Sequence, residues 1–425
     1  MNFYLNKYGF CAPQISVLPH VNTQIIIVIP CFNETDLISS LNALKSCTPT
    51  ICLVEVITVI NAGINQTNEI KQQNLNTYEA AKKWAKINQT NNLTFHFILN
   101  NDLPKKHAGV GLARKIGMDE AVHRFYLINK DGIIVCFDAD SKCDVNYLIE
   151  IEKHFNKNPK TPGCSIHYEH SIKKTEQTDI EFEQNIYTGI INYELFLRYY
   201  NQGLNFCGFP YAYQTVGSSM AVRSSIYQKQ GGMNKRKAGE DFYFIHKIIA
   251  LGNFTNLSTT KVIPSPRISD RVPFGTGKAI GDWIESKAEN YLTYDVRIWH
   301  ILKSFVNIIP QLQHQDLKSL TFFKDSKYKQ LIDFLNENNF NTDLQEIRKN
   351  STDNQSFLKR FFVWFNAFKV LKAIHYLRDH QYSNQPIGQE ATKLAKTMQF
   401  FNGEQTEKEL LLKYRIIEKN GTLIK

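Results

Sequence analysis

The eight residues Ile133-Ile134-Val135-Cys136-Phe137-Asp138-Ala139-Asp140 constrain the fold more than any other stretch of the chain. Apolar residues in unbroken succession, rich in β-branched Ile and Val, read as a strand buried on both faces. The strand delivers two carboxylates, one residue apart, at its C-terminal end. In an open α/β sheet that end is where ligands bind. Carboxylates this close repel each other unless a cation or hydrogen-bond donors lie between them, which points to a hard divalent ion such as Mg²⁺ or Mn²⁺. The plainer alternative is that Asp138 and Asp140 cap the helix that follows, and the triplet alone does not separate the two.

Strands and helices alternate up to this point. Gln24 to Ile29 is a β-branched run closed by Pro30 and Cys31-Phe32-Asn33-Glu34. Leu37, Ile38, Leu41 and Leu44 then fall on one helical face, with Asn33 placed to cap its start. A second strand, Ile51 to Ile60, ends in Asn61-Ala62-Gly63; a helix follows around Tyr78, Ala81, Trp84 and Ala85, then a third strand, Leu93 to Leu99. Asn100 to Gly111 reads as a loop bearing Lys105, Lys106 and His107, entering a helix with Leu112, Ala113, Ile116 and Met118. Arg114 and Lys115 lie in the first turn of that helix, where cations oppose the macrodipole. A nearby anion would compensate; a solvated charged face is the alternative. The alternation argues for an α/β domain with a largely parallel sheet.

Beyond Asp140, Pro162 to Tyr168 reads as a strand ending in His167-Tyr168-Glu169-His170, whose histidines are either metal or sugar contacts or ordinary strand-end side chains. A helical segment, Ile180 to Tyr200, carries Phe182, Tyr187, Tyr193 and Phe196, read as packing residues. The small-residue run Val216 to Val222 reads as a strand ending in Arg223. After Gly231-Gly232-Met233 and Lys235-Arg236-Lys237 comes Gly239-Glu240-Asp241, then a helix from Phe242 to Leu251, ended by Gly252. Acidic residues at a helix start are electrostatically favourable, so a structural cap accounts for Glu240 and Asp241. They are equally the second acidic pair that a metal-plus-base mechanism requires.

Taken in order, Val28-Ile29-Pro30-Cys31-Phe32-Asn33-Glu34, Phe137-Asp138-Ala139-Asp140, Gly217 to Arg223, Gly231-Gly232-Met233 and Gly239-Glu240-Asp241 resemble glycosyltransferase family 2 over roughly residues 20 to 300. The resemblance implies a GT-A-like, doubly wound, largely parallel sheet flanked by helices over residues 1–300. Residues 301–425 would then form an α-helical C-terminal appendage. It implies metal-dependent transfer of a sugar from a nucleotide-diphosphate sugar to an acceptor hydroxyl, with inversion, in glycan or cell-envelope biosynthesis. Pro30, Asn33 and Glu34 would line the nucleotide pocket. Asp138 would face the ribose or the metal and Asp140 would hold the metal, Mn²⁺ or Mg²⁺. Asp241 would be the general base, with Glu240 beside it placing the acceptor. Asn61 stands where many relatives are acidic, at the position of the base contact. No Gln-x-x-Arg-Trp is present, which favours single-sugar transfer over polymerisation.

Transfer chemistry needs the charge on the leaving diphosphate neutralised, a task for a divalent cation aided by basic side chains such as Lys105, Lys106, Arg114 or Arg271. Arg271 lies in the unusual stretch Pro264 to Lys278, whose three prolines, two arginines and two glycines suggest a segment able to fold over a diphosphate; a plain basic surface loop is the alternative. Its Gly-Thr-Gly-Lys is not a P-loop, because Ala279 stands where Ser or Thr is needed.

A net charge of +10 over 425 residues favours anionic ligands. No Lys/Arg run is long enough for a nucleic-acid arm, so no nucleic-acid partner is expected. Met1 to Phe10 does not read as a signal peptide, no stretch reads as a membrane span, and the eight cysteines lack zinc spacing. These features fit a cytoplasmic protein with reduced thiols. The acceptor would be a glycan, a lipid-linked molecule or a small molecule. The aromatic run Phe361 to Phe365 reads as the seam of a helical core, or as an interfacial helix giving peripheral membrane contact. The rival functions are a nucleotidyltransferase, against which the loop Cys31-Phe32-Asn33-Glu34 counts for want of glycines and basic residues, and a catalytically silent scaffold on the same fold.

Overall fold

A computed structural model of the chain describes residues 2–172, 180–237, 239–269, 275–286, 290–401, 403 and 405–420, with the backbone alone over 180–184. The chain divides into two compact units, 1–173 with 214–278 and 174–213 with 279–425. The helical stretch read at 301–425 lies within the second.

The first unit is an α/β sheet. In chain order it contains α1 (Phe3–Tyr8), β1 (Thr23–Cys31), α2 (Leu37–Lys45), β2 (Leu53–Gly63), α3 (Asn68–Asn88), β3 (Leu93–Leu103), α4 (Val110–Leu127), β4 (Ile133–Cys136), β5 (Lys142–Cys143), α5 (Tyr147–Lys157) and β6 (Gly163–Tyr168). After α6 (Ile180–Phe206), which belongs to the second unit, the chain returns with β7 (Met220–Arg223), α7 (Ser224–Lys229), α8 (Glu240–Ile249) and β8 (Thr255–Ile263). The strands lie in the order β3-β2-β1-β4-β7-β6-β8-β5. Pairings β3–β2, β2–β1, β1–β4 and β6–β8 are parallel; those of β7 with β4 and β6, and of β5 with β8, are antiparallel. Every residue from Ile25 to Cys31 is buried, as are Ile133 to Cys136, which is what strands covered on both faces require.

Parallel crossovers are right-handed. Stepping outward from β1 to β2 and β3 therefore places α2 and α3 on one face, and the return to β4 places α4 on the other. The sheet is wound in both directions from the β1–β4 seam, and the crevice at the C-terminal ends of those two strands is the switch point where such folds bind ligands. Gly117 lets α4 pack close against that seam, since a Cβ there would lie 2.5 Å from Val28 Cγ1.

Several boundaries differ from the sequence reading, each for a local reason. The cap of α2 is Asp36, whose side chain accepts from Ser39 N; Asn33 instead occupies a left-handed turn at φ 48° that an Asn tolerates. β3 continues through the polar Asn100-Asn101-Asp102 to Leu103 because Asn100 and Leu103 still pair with β2. The run from Val216 is strand only from Met220 onward, and α8 begins at Glu240 rather than Phe242. β8, whose polar Ser258-Thr259-Thr260 blurs its apolar pattern, has no clear sequence signal.

In the second unit, α6 is followed by α9 (Thr276–Ser286), β9 (Leu292–Thr293), α10 (Val296–Ile308), α11 (Lys329–Glu337), α12 (Phe340–Lys349), α13 (Asn354–Trp364), α14 (Ala367–His380), β10 (Gln385–Pro386), α15 (Ile387–Thr397) and α16 (Glu407–Asn420). Phe361 and Phe365 are buried against Phe305 of α10, so this part of the aromatic run lies in the unit's core. Among the described residues no helix is long and apolar enough to cross a membrane.

Candidate active site

An asparagine cluster braces the strand ends on one side of the switch point. Asn74 of α3, fully buried, accepts from Asn33 N at 2.9 Å and donates to the Asn61 carbonyl at 3.0 Å and to Asn101 Oδ1 at 2.9 Å. Asn61 in turn donates to the Cys31 carbonyl at 2.8 Å. These bonds fix the turn after β1, where Glu34 follows. Glu34 is fully buried and is held by both guanidinium nitrogens of Arg267, with Arg267 Nη1 donating to Oε1 at 3.0 Å. Arg267 Nη2 also lies 2.8 Å from Asp140 Oδ2, so one guanidinium ties the end of β1 to the carboxylate beyond β4.

Arg114 does the corresponding work on the other side. It projects from α4, is buried, and donates from Nη2 to Asp138 Oδ1 at 2.6 Å and from Nη1 to Glu240 Oε1. Two close approaches make room for this pair. A Cβ at Gly217 would lie 2.4 Å from Arg114 Nη1, so the small-residue run before β7 is the guanidinium's berth. A Cβ at Gly111 would lie 2.2 Å from the Arg236 carbonyl oxygen and 3.0 Å from Glu240 Cβ, so α4 meets the loop before α8 backbone to backbone. Gly239 enters α8 at φ 69°, which favours glycine, and delivers Glu240 and Asp241 to the first turn.

Five carboxylates (Glu34, Asp138, Asp140, Glu240, Asp241) thus surround two guanidiniums. Burial raises Glu240 to about 7 against the pull of Arg114, with Asp241 adding to the rise. Burial also raises Asp241, opposed by Arg114 and by the Phe242 N–H that donates to its Oδ1 at 2.7 Å. Burial alone would favour neutral Arg114, but Asp138 and Glu240 hold it cationic. The acidic excess and the partial exposure of Asp138 and Asp140 fit a hard divalent cation. Mg²⁺ characteristically takes one or two protein carboxylates and completes its shell with water and phosphate oxygens. Among the described residues no three His, Cys, Asp or Glu side chains gather as ready-made ligands.

Of the residues singled out from the sequence, Glu34, Arg114, Asp138, Asp140, Glu240 and Asp241 come together here. Pro30 is buried within β1 opposite Val59. Asn33 and Asn61 belong to the asparagine brace. Lys106 is exposed in the turn before α4. Arg271 lies outside the described residues. His167 pairs with Glu169 and His170 contacts Thr276 Oγ1. Arg267 was missed: it shares the basic loop with Arg271, and nothing in the sequence ranks one arginine above the other. Asn74 was missed too, as one Asn in a helix of a chain rich in Asn. Arg114 carried the mildest signal, a cation near a helix start, and its compensating anions are Asp138 and Glu240.

No protein-family profile and no curated protein sequence matches the chain. Among solved structures, Staphylococcus aureus TarS residues 1–349 in complex with UDP-GlcNAc is similar at 12% identity and a TM-score of 0.40, over 94% of this chain and 91% of that one. The complex of the same TarS fragment with UDP is similar at 13% identity and a TM-score of 0.38, over 85% and 93%.

Proposed function

We propose that the protein transfers a sugar from a nucleoside-diphosphate sugar to an acceptor hydroxyl. The observation that carries this reading is the convergence of Glu34, Asp138, Asp140, Glu240 and Asp241 on two arginines at the β1–β4 switch point. Asp138 and Asp140 would hold Mn²⁺ or Mg²⁺, which supplies charge neutralisation to the departing diphosphate. Arg267 is the side chain in reach of both strand ends, suited to a diphosphate once a cation relieves it of Asp140. Arg114 fixes Asp138 against Glu240, so the donor and acceptor halves are built on one guanidinium. Asp241 takes the proton from the acceptor hydroxyl as it attacks the anomeric carbon, and Glu240 orients that hydroxyl. Attack opposite the diphosphate inverts the anomeric centre, and one sugar is added per encounter. Glycan or cell-envelope biosynthesis in the cytoplasm is the setting proposed.

The test is a thermal-shift screen with UDP, GDP, CDP and dTDP, with and without Mn²⁺. Stabilisation by one diphosphate that needs the metal supports the proposal. Response to a nucleoside triphosphate in preference to every diphosphate would favour nucleotidyl transfer, and silence throughout would favour a scaffold.

A further inference from the structure

We infer that the rim beside Asp241 binds an acceptor carrying several negative charges near its reacting hydroxyl; this rests on the sugar-transfer reading above. Two basic tripeptides far apart in sequence, Lys105-Lys106-His107 and Lys235-Arg236-Lys237, meet at this rim. The backbone just after the first tripeptide touches the second: a Cβ at Gly109 would lie 3.1 Å from Lys237 Cα, and one at Gly111 would lie 2.2 Å from the Arg236 carbonyl oxygen. All five Lys and Arg side chains are exposed. Among the described residues none of the five is paired with a carboxylate. Arg236 lies over the Tyr243 ring, 3.7 Å from its centroid, and Lys235 lies 5.8 Å from that of Phe10. Desolvation, then Lys235, Lys106 and Lys237, push His107 toward its neutral form, as expected of an imidazole amid unneutralised cations.

The position of this rim distinguishes its ligand from the donor. The first tripeptide leads into α4, which carries Arg114; the second leads into Gly239 and the acidic pair of α8. It therefore borders the side of the proposed base, whereas Glu34 and Arg267 mark the end of β1. Around Asp241 itself, the carboxylates of Asp138, Glu240 and Asp241 face the single guanidinium of Arg114, so an anionic group of the acceptor there would be repelled. An acceptor with charges held on the rim and a neutral hydroxyl reaching inward satisfies both fields at once. Neither Pro104 to Ala108 nor Asn234 to Lys237 contains a large apolar side chain to insert into a bilayer, which favours a soluble polyanion over a membrane surface.

The test uses the full chain, with long-chain inorganic polyphosphate as the probe and the triple variant Lys235→Ala/Arg236→Ala/Lys237→Ala. Wild type should bind polyphosphate with an affinity that falls steeply between about 50 and 200 mM salt. The variant should bind about tenfold more weakly or worse, while its metal-dependent shift with a nucleoside diphosphate stays that of wild type. Unchanged polyphosphate binding in the variant, or none in wild type, overturns the inference. Equal loss of polyphosphate and nucleoside diphosphate also overturns it, by assigning the rim to the donor. Binding of phosphatidylglycerol vesicles without binding of polyphosphate replaces the polyanion with a membrane. Failure of wild type to respond to any nucleoside diphosphate counts against sugar transfer, and is read apart from the polyphosphate arm.

Discussion

Arg114 and Glu240 face each other from α4 and α8, each with only 3% of its side chain exposed. A buried pair of this kind gives little net stability as a pair, because both ions were taken from water. Removing one partner is another matter. Arg114→Ala strands Glu240, and Asp138 loses its donor, so a loss of about 3–5 kcal/mol is expected in urea unfolding. Adding Glu240→Gln should restore part of it, since the stranded charge is then gone. A single-variant loss below about 1 kcal/mol would equate the pair with an exposed one.

The same burial makes a pH prediction with a definite sign. An exposed Glu carboxyl titrates near 4.5, and burial raises Glu240 to about 7 in the fold. A raised carboxyl favours folding while protonated, so its contribution is fully present below the unfolded value and is lost as pH rises through the folded one. Wild type should therefore lose stability relative to Glu240→Gln as pH climbs from about 4.5 to beyond 7. Urea midpoints measured across that window would expose the difference. Two parallel curves would mean the carboxyl titrates alike in both states.

As the proposed base, Asp241 carries the opposite demand, because a base must be ionised to work. Asp241→Asn should leave the metal-dependent nucleoside-diphosphate shift intact and lower turnover by about 10²–10⁴-fold. In wild type the acid limb of the turnover profile should lie above the ordinary Asp value of 3.8, burial having raised the group. That limb belongs to the adjacent pair Glu240 and Asp241, since neighbouring carboxylates release their protons as a unit. Normal turnover by Asp241→Asn would remove it from the role of base.

How much of this was legible in the chain follows from what each signal depends on. Ile25 to Ile29 and Ile133 to Cys136 announce doubly buried strands by apolar runs alone, so the sheet's centre could be read directly. The acidic residues were visible because carboxylates at strand ends and helix starts stand out against an apolar background. Arg267 and Asn74 were not, because their importance lies in partners on other elements, from 13 to 233 residues away. A pairing such as Arg267 with Glu34 has no local trace. Asn33 shows the limit in reverse: its type suits both a helix cap and a left-handed turn, and only the position of Leu37 decides between them.

Asn74 offers a stability test independent of the chemistry. Its amide joins the turn at Asn33, the end of β2 and the end of β3, and it is fully buried. Asn74→Ala leaves the Asn33 N–H without its acceptor and should cost about 1–3 kcal/mol. Loosening that turn also frees Glu34, so the metal-dependent shift should shrink alongside stability. A stability loss with an undiminished shift would separate the brace from the site.

Asp140 and Arg267 put the proposed metal to the test. Arg267 now bonds Glu34 and lies 2.8 Å from Asp140 Oδ2, so a cation taken up at Asp140 must compete with that guanidinium. Asp140→Ala removes the proposed ligand but leaves Arg267 anchored on Glu34, so the fold should survive. At a ligand concentration of about 100 times Kd, wild type gains roughly 2.7 kcal/mol from binding. The metal-dependent part of that gain should vanish in Asp140→Ala, and any metal-independent part should remain. Arg267→Ala should do the reverse at the metal: with its competitor gone, Asp140 should take Mn²⁺ at lower concentration, while buried Glu34, left unpaired, lowers overall stability. Titrating Mn²⁺ against both variants by thermal shift checks the pair, and an Asp140→Ala protein that still needs metal for its nucleotide response would rule out Asp140 as the ligand.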